Sequence, residues 1–235
     1  MIRFDQRSRE KEIMDDLDCS GPVLEQTLRE LKTINRWLGG NKVTNLGLKG
    51  LLKSTPPQAT YRVVDLGCGG GDMIGVMATW AKKQKLSIQF IGADANAYTI
   101  EIAKERQKEW NGVEWQVVNV FDPAFLNEQV DLVTCTLFTH HFTDEELIQL
   151  FLVLKKKVRI GIVINDLHRH PLAYYAIKWL TALFSKSPMV QHDAPLSVMR
   201  SFTRKDWRAI FQEAGLYKTK IQWRWAFRWQ IEVTI

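Results

Sequence analysis

The stretch Val63-Val64-Asp65-Leu66-Gly67-Cys68-Gly69-Gly70-Gly71-Asp72 constrains this chain more than any other. Two β-branched residues end a strand, an acid follows, and four of the five positions 67–71 are glycine. A turn so poor in side chains tolerates positive φ and lets a ligand approach the backbone. In an open α/β sheet, ligands bind just beyond the carboxyl ends of the strands. The dinucleotide pattern G-x-G-x-x-G, aligned on Gly67 and Gly69, needs a glycine at position 72, which is Asp72. The pattern present is Asp65-x-Gly67-x-Gly69-x-Gly71. A pyrophosphate wants bare helix N–H groups and no carboxylate nearby. Asp65 and Asp72 suit a ligand that carries an ammonium and a sulfonium instead.

The rest of the chain is arranged around that turn. Val23, Leu24, Leu28, Leu31, Ile34, Trp37 and Leu38 recur at helical spacing, between Gly21-Pro22 and Gly39-Gly40. A shorter helix is expected over Asn45–Leu52, so residues 1–60 read as an N-terminal helical cap. From Tyr61, strands at 62–66, 87–93, 114–120, 130–135 and 159–165 alternate with helices at 72–83, 97–110 and 143–154, with a helical turn near 123–126. Short apolar strands between helices imply a parallel sheet covered on both faces, an α/β domain over 61–235. Pro171–Phe184 reads as an apolar helix inserted after the fifth strand. Ser185–Ser201 reads as irregular, and residues 170–202 together as a lid insertion. A helix capped by Thr203 and a hairpin over 217–235, turning at Ala226-Phe227, end the chain.

The motif from Asp65 to Gly71 resembles the S-adenosylmethionine motif of class I methyltransferases. The resemblance implies a Rossmann-like, seven-stranded, mostly parallel sheet of order 3-2-1-4-5-7-6 with helices on both faces. It implies S-adenosyl-L-methionine as cofactor and S-adenosyl-L-homocysteine as product. Asp65, Gly67, Cys68, Gly69 and Gly71 would form the turn around it. Asp94 and Ala95 end the next strand, and Asp94 is placed to accept from the ribose hydroxyls or to cap the following helix. The family often has an acid after strand three to hold the adenine amino group; here the matching residue is Asn119, beside Val120, with Asp122 as competitor. Thr136 ends strand four and completes the expected cofactor set.

For the methyl acceptor, Leu137-Phe138-Thr139-His140-His141-Phe142 looks like the apolar-His-His segment of ubiquinone- and menaquinone-type methyltransferases. With His168 after strand five, His140 and His141 are the candidate bases for a phenol or enol, since an ordinary imidazole titrates near pH ~6.5. The Asn/Asp-Pro-Pro-aromatic and Pro-Cys segments of nucleic-acid base methyltransferases are absent. No acid follows strand four before Asp144, and Asn165-Asp166 reverses the pair that catechol-type enzymes use for Mg²⁺, so a metal-free reaction is expected. The lid aromatics Tyr174, Tyr175 and Trp179, together with Trp37, are expected to roof the site and select a hydrophobic small molecule. Arg169, Lys186 and Arg200 are candidates for recognising an acid on it.

Charge is unevenly spread: basic against acidic residues number 10 to 8 in residues 1–60, 7 to 13 in 61–154 and 15 to 5 in 155–235. The basic last third leaves open peripheral membrane contact, or an RNA methyltransferase with Trp207, Trp223, Trp225 and Trp229 as stacking surface. Alternation in Gln222-Trp223-Arg224-Trp225 argues that two of these tryptophans are core. A non-catalytic lipid- or partner-binding protein on the same fold is the third reading. Three scattered cysteines, Cys19, Cys68 and Cys135, fit a reducing, cytoplasmic setting. Nothing in the sequence fixes an oligomeric state.

Overall fold

The computed structural model describes residues 3–122 and 125–235. Its strands are β1 (Tyr61–Leu66), β2 (Ile88–Asp94), β3 (Glu114–Val117), β4 (Val130–Thr136), β5 (Val158–Leu167), β6 (Thr219–Arg224) and β7 (Arg228–Thr234). They form one sheet in the order β3-β2-β1-β4-β5-β7-β6. The first five are parallel, and β7 lies antiparallel between β5 and β6, as the resemblance implies. The hairpin turns on Ala226 and Phe227, both left-handed (φ 59° and 53°). Paired positive φ values match the twist of the two strands.

The helices are α1 (Gly21–Trp37), α2 (Gly40–Lys53), α3 (Asp72–Lys83), α4 (Ala97–Arg106), α5 (Asp144–Lys157), α6 (Pro171–Phe184), α7 (Pro188–Arg200) and α8 (Arg204–Glu213). Alternate strand residues feed two cores. Val64, Leu66, Val133 and Ile164 pack with Phe151, Trp207 and Phe211 of α5 and α8. Val63, Leu132 and Val163 pack with Met77 of α3 and with Leu48 and Leu51 of α2. Each buried aliphatic side chain of this kind contributes roughly 1.5–3 kcal/mol. The second helix is therefore longer than expected and is part of the layer that covers the sheet. It sits so close to β5 that a Cβ on Gly47 would run into Val163.

Two expectations are corrected here. Residues 188–200 are helical, although Pro188 and Pro195 broke the pattern in the sequence. Pro188 stands in the first turn, where no N–H is needed, and Ser187 Oγ accepts from the Val190 N–H. Burial of Val190, Leu196 and Val198 outweighs the bond lost at Pro195. The buried tryptophans are Trp207 and Trp229, whereas Trp223 and Trp225 are exposed, because β6 is an edge strand. The third strand ends at Val117, so Asn119 and Val120 lie in the loop beyond it. The helical turn expected over 123–126 falls partly outside the described residues.

Candidate active site

Gly67, Gly69 and Gly71 are all left-handed, with φ of 64°, 52° and 73°. The turn folds because L side chains avoid that region, and two of its glycines also lack room. A Cβ on Gly67 would strike the Phe138 ring, and one on Gly71 would lie 2.6 Å from Trp115. Gly69 differs: the nearest atom to its hypothetical Cβ is Leu28 at 3.7 Å, so it faces open space. The Gly69 N–H donates to Asp94 Oδ2 (3.0 Å), and Asp94 Oδ1 accepts from Asn96 N (3.0 Å). The cap of α4 is Asn96, whose side chain accepts from Thr99 N. Asp94 instead ties β2 to the glycine turn.

Electrostatics separates the three acids. Asp65 is 2% exposed, and burial pushes its pKa up to about 7 against the opposing bond from Thr134 Oγ1 (2.6 Å). Burial also raises Asp94. Among the described residues, no lysine or arginine bonds to either. Asp72 is already paired with Lys32 of α1 (2.8 Å), so it is not the free acid expected near a sulfonium. An open glycine beside one buried and one half-buried carboxylate, both without a bonded cation, fits a ligand with a sulfonium, an ammonium and a ribose diol; it would repel a phosphate. Ala95 and Cys68 flank these groups, and the Cys68 N–H donates to Ala93 O (3.1 Å). Thr136 Oγ1 lies 2.9 Å from Thr44 Oγ1 and so is engaged with α2. Asn119 Oδ1 accepts from Phe121 N (3.0 Å), and Val120 is buried.

The histidines after β4 meet partners the sequence reading missed. His140 donates from Nδ1 to Asp166 Oδ1 on β5 (2.7 Å), and its backbone N–H donates to Asp166 Oδ2 (3.1 Å). Thr139 Oγ1 and the Leu167 N–H also donate to Asp166, which has no solvent exposure. Burial alone would raise this acid, but His140 and the donated bonds hold it at about 2. His141 donates from Nδ1 to Asp15 Oδ1 (2.6 Å). The opposing effects of burial and of bonds from His141 and Arg200 leave Asp15 below the usual carboxylate range. Glu12 lies over His140, with Oε1 3.7 Å from Nε2. Burial raises Glu12 to about 7. Its Oε2 accepts from Ser197 Oγ (2.8 Å).

Glu12 and Asp15 belong to an irregular strap, residues 4–19, that crosses the carboxyl edge of the sheet. Arg7 fastens it to Phe142 O (2.7 Å) and Arg200 O (2.6 Å). Asp193 accepts from Ile13 N and Met14 N. Asn96 Nδ2 donates to Cys19 O (2.8 Å), and Tyr98 and Arg106 bond to Glu25, which seats α1 over the glycine turn. In the sequence these two acids look like part of a solvated charge run.

Several expectations about the acceptor side are overturned. Trp37 and Trp179 are each 67% exposed, and Leu172, Tyr175, Leu183 and Phe184 also face outward. The aromatic face of α6 is therefore a surface stripe, and only Ala173 and Thr181 are buried. Arg169 and Arg200 are internal ties. Arg169 bonds to Phe4 O, Ser201 O and Asp206, and Arg200 to Asp15, His140 O and His141 O. Neither is free to receive a substrate acid.

His168 is likewise not brought to His140 and His141. Its ring packs between Trp229 (4.7 Å) and His170 (5.5 Å). Burial and the neighbouring His170, Arg169 and Arg204 push its pKa down to about 4. It folds neutral, so between pH ~6.5 and about 4 the unfolded chain binds the extra proton and stability falls as pH drops. The ring is half-buried, and screening reduces the effect to about 1–2 kcal/mol. The melting temperature of His168→Phe is expected to fall less than that of the parent from pH 7 to pH 4. Parallel curves would refute this.

Comparison with known proteins agrees with this geometry. Residues 63–161 match the family model described as a methyltransferase domain. A methyltransferase of Bacillus subtilis (strain 168) named YcgJ, itself uncharacterized, is 25% identical over 182 residues, 76% of this chain and 65% of that one. The ubiquinone biosynthesis O-methyltransferase of Mesorhizobium japonicum is 30% identical over 96 residues, 40% of this chain and 36% of its own length. This chain thus spans less than two thirds of either curated relative. The solved structure of the plantazolicin methyltransferase BpumL with S-adenosyl-L-homocysteine superposes with a TM-score of 0.64 at 15% identity, covering 90% of this chain and 88% of that one. No helix among the described residues is long and apolar enough to cross a membrane. In its sheet order, its glycine turn and the sequence matched over residues 63–161, this chain is similar to the class I S-adenosylmethionine-dependent methyltransferases.

Proposed function

We propose that the protein transfers a methyl group from S-adenosylmethionine to a phenolic or enolic hydroxyl of a hydrophobic small molecule. The observation that carries this reading is the placing of the acid-lined glycine turn and the His140–His141 pair on hydrogen-bonded neighbours, β1 and β4. That is the switch point of the sheet, where strand order reverses and ligands sit.

In this reading Gly69 lets the donor approach the backbone, Asp94 accepts from its ribose, and the ammonium offsets the charge of Asp65. Methyl transfer is an in-line displacement, so alignment and exclusion of water do most of the work. Leu28 and the strap supply the cover. The hydroxyl proton leaves at the histidine centre, where Asp166 and Asp15 fix both imidazoles through Nδ1. The ubiquinone enzyme among the relatives is named for O-methylation, which supports an oxygen acceptor.

The test is transfer of label from methyl-labelled S-adenosylmethionine to a panel of hydrophobic phenols and enols. The expected result is an organic-extractable methyl ether. Label appearing in tRNA, with none on the panel, would replace this reading by the RNA one.

A further inference from the structure

Glu12, His140 and His141 pose a proton problem. His140 gives its Nδ1–H to Asp166, so in the neutral ring Nε2 carries a lone pair. That lone pair faces Glu12 Oε1 at 3.7 Å, too far for a hydrogen bond. The Glu12 side chain is 3% exposed, and Oε1 has no hydrogen-bond partner among the described residues. His141 also spends Nδ1 on a carboxylate, Asp15. One ligand atom from each of the three residues lies within 4.8 Å of the others. Two acceptors of this kind facing each other, dry and unbridged, are costly.

We propose that Glu12, His140 and His141 bind a divalent first-row transition metal ion, with Asp166 and Asp15 as the carboxylates that orient the two imidazoles. Imidazole–carboxylate–metal relays are the usual second layer of such centres, because the carboxylate fixes the ring and the tautomer. Two histidines and one glutamate leave positions open, the pattern of reactive Zn²⁺ and Fe²⁺ sites. Ligand bonds of about 2.0–2.2 Å require the three donors to close by about 1 Å, within reach of side-chain rotation. Arg200 Nε lies 3.7 Å from Glu12 Oε1, beyond hydrogen-bond distance. Arg200 is held by Asp15 and by the His140 and His141 carbonyls, so among the described residues no donor reaches Glu12 Oε1. This departs from the metal-free expectation of the sequence. The ion's role, though not its site, rests on the proposed methyl transfer: an open position would take the acceptor oxygen, and with both ring nitrogens of each histidine occupied the hydroxyl proton would leave to solvent rather than to an imidazole.

The full chain, stripped with chelator, is titrated with Zn²⁺ by calorimetry and with Co²⁺ by visible absorption, with anaerobic Fe²⁺ as a third arm. One ion per chain is expected. Glu12→Gln and His141→Ala should each weaken binding by at least about 10–100-fold and remove the Co²⁺ bands, while His168→Phe changes neither. Binding of S-adenosyl-L-homocysteine to the metal-free variants reports that they are folded and tests the cofactor site separately. No ion bound, or equal affinity in parent and variants, overturns the proposal; undiminished methyl transfer in excess chelator overturns the ion's role in the reaction. One ion bound without turnover on any acceptor supports the site and counts against the methyl-transfer reading instead.

Discussion

Gly69→Val is expected to abolish S-adenosylmethionine binding measured by calorimetry, and Asp94→Ala to weaken it at least about 100-fold, about 2.7 kcal/mol. The two changes act on opposite sides of one bond. The Gly69 N–H donates to Asp94 Oδ2, and the glycine faces space that no protein atom fills within 3.7 Å. A branched side chain there occupies the crevice and also strains a φ of 52°, at a cost of about 1–3 kcal/mol. Removing the Asp94 carboxylate loses the ribose acceptor and frees the turn. The contrast with Gly71 is informative. At that position a side chain meets Trp115 at 2.6 Å, so Gly71→Val is expected to lower the melting temperature more than Gly69→Val does. Normal affinity in both Gly69→Val and Asp94→Ala would remove the cofactor from this turn.

Asp166→Asn is the second large effect. Turnover should fall on the order of 10²–10⁴-fold, while the S-adenosylmethionine dissociation constant stays within about twofold. Asp166 has no solvent exposure and accepts from Thr139 Oγ1, His140 N, His140 Nδ1 and Leu167 N. An amide of the same shape keeps the volume but turns one acceptor into a donor, so the His140 ring loses its fixed tautomer. The split between turnover and cofactor affinity identifies Asp166 as a positioning residue for the acceptor side. Unchanged turnover, or equal losses in both quantities, would place it outside the reaction.

The glycine turn and the sheet were legible because their constraints are local. Strand period, Gly67 to Gly71 and the capping residues Thr143 and Thr203 act within a few residues, and the structure shows them where expected. Asp94 was legible by its distance from the turn, but its bond to Gly69 was not. Glu12 and Asp15 were illegible for the opposite reason. Asp15 reaches a histidine 126 residues away, and nothing in a polar segment rich in both charges says which acid will be buried. The outward stripe on α6 failed similarly. Apolar spacing shows that a face exists, not whether it looks inward, and Trp179 and Leu183 look out. Residues 188–200 were obscured by prolines that tertiary packing overrides.

The strap has a kinetic consequence. It is fastened at one end by Arg7 and in the middle by Asp193, and α1 continues the cover by way of Cys19 and Glu25. Both halves of the crevice therefore lie beneath one stretch of chain that also supplies Glu12 and Asp15. Lifting that stretch would withdraw Glu12 from His140 and Asp15 from His141 together. Under the proposed function, the event that admits a ligand would separate the candidate reactive groups, and closing of the strap would be a step that each turnover has to pass.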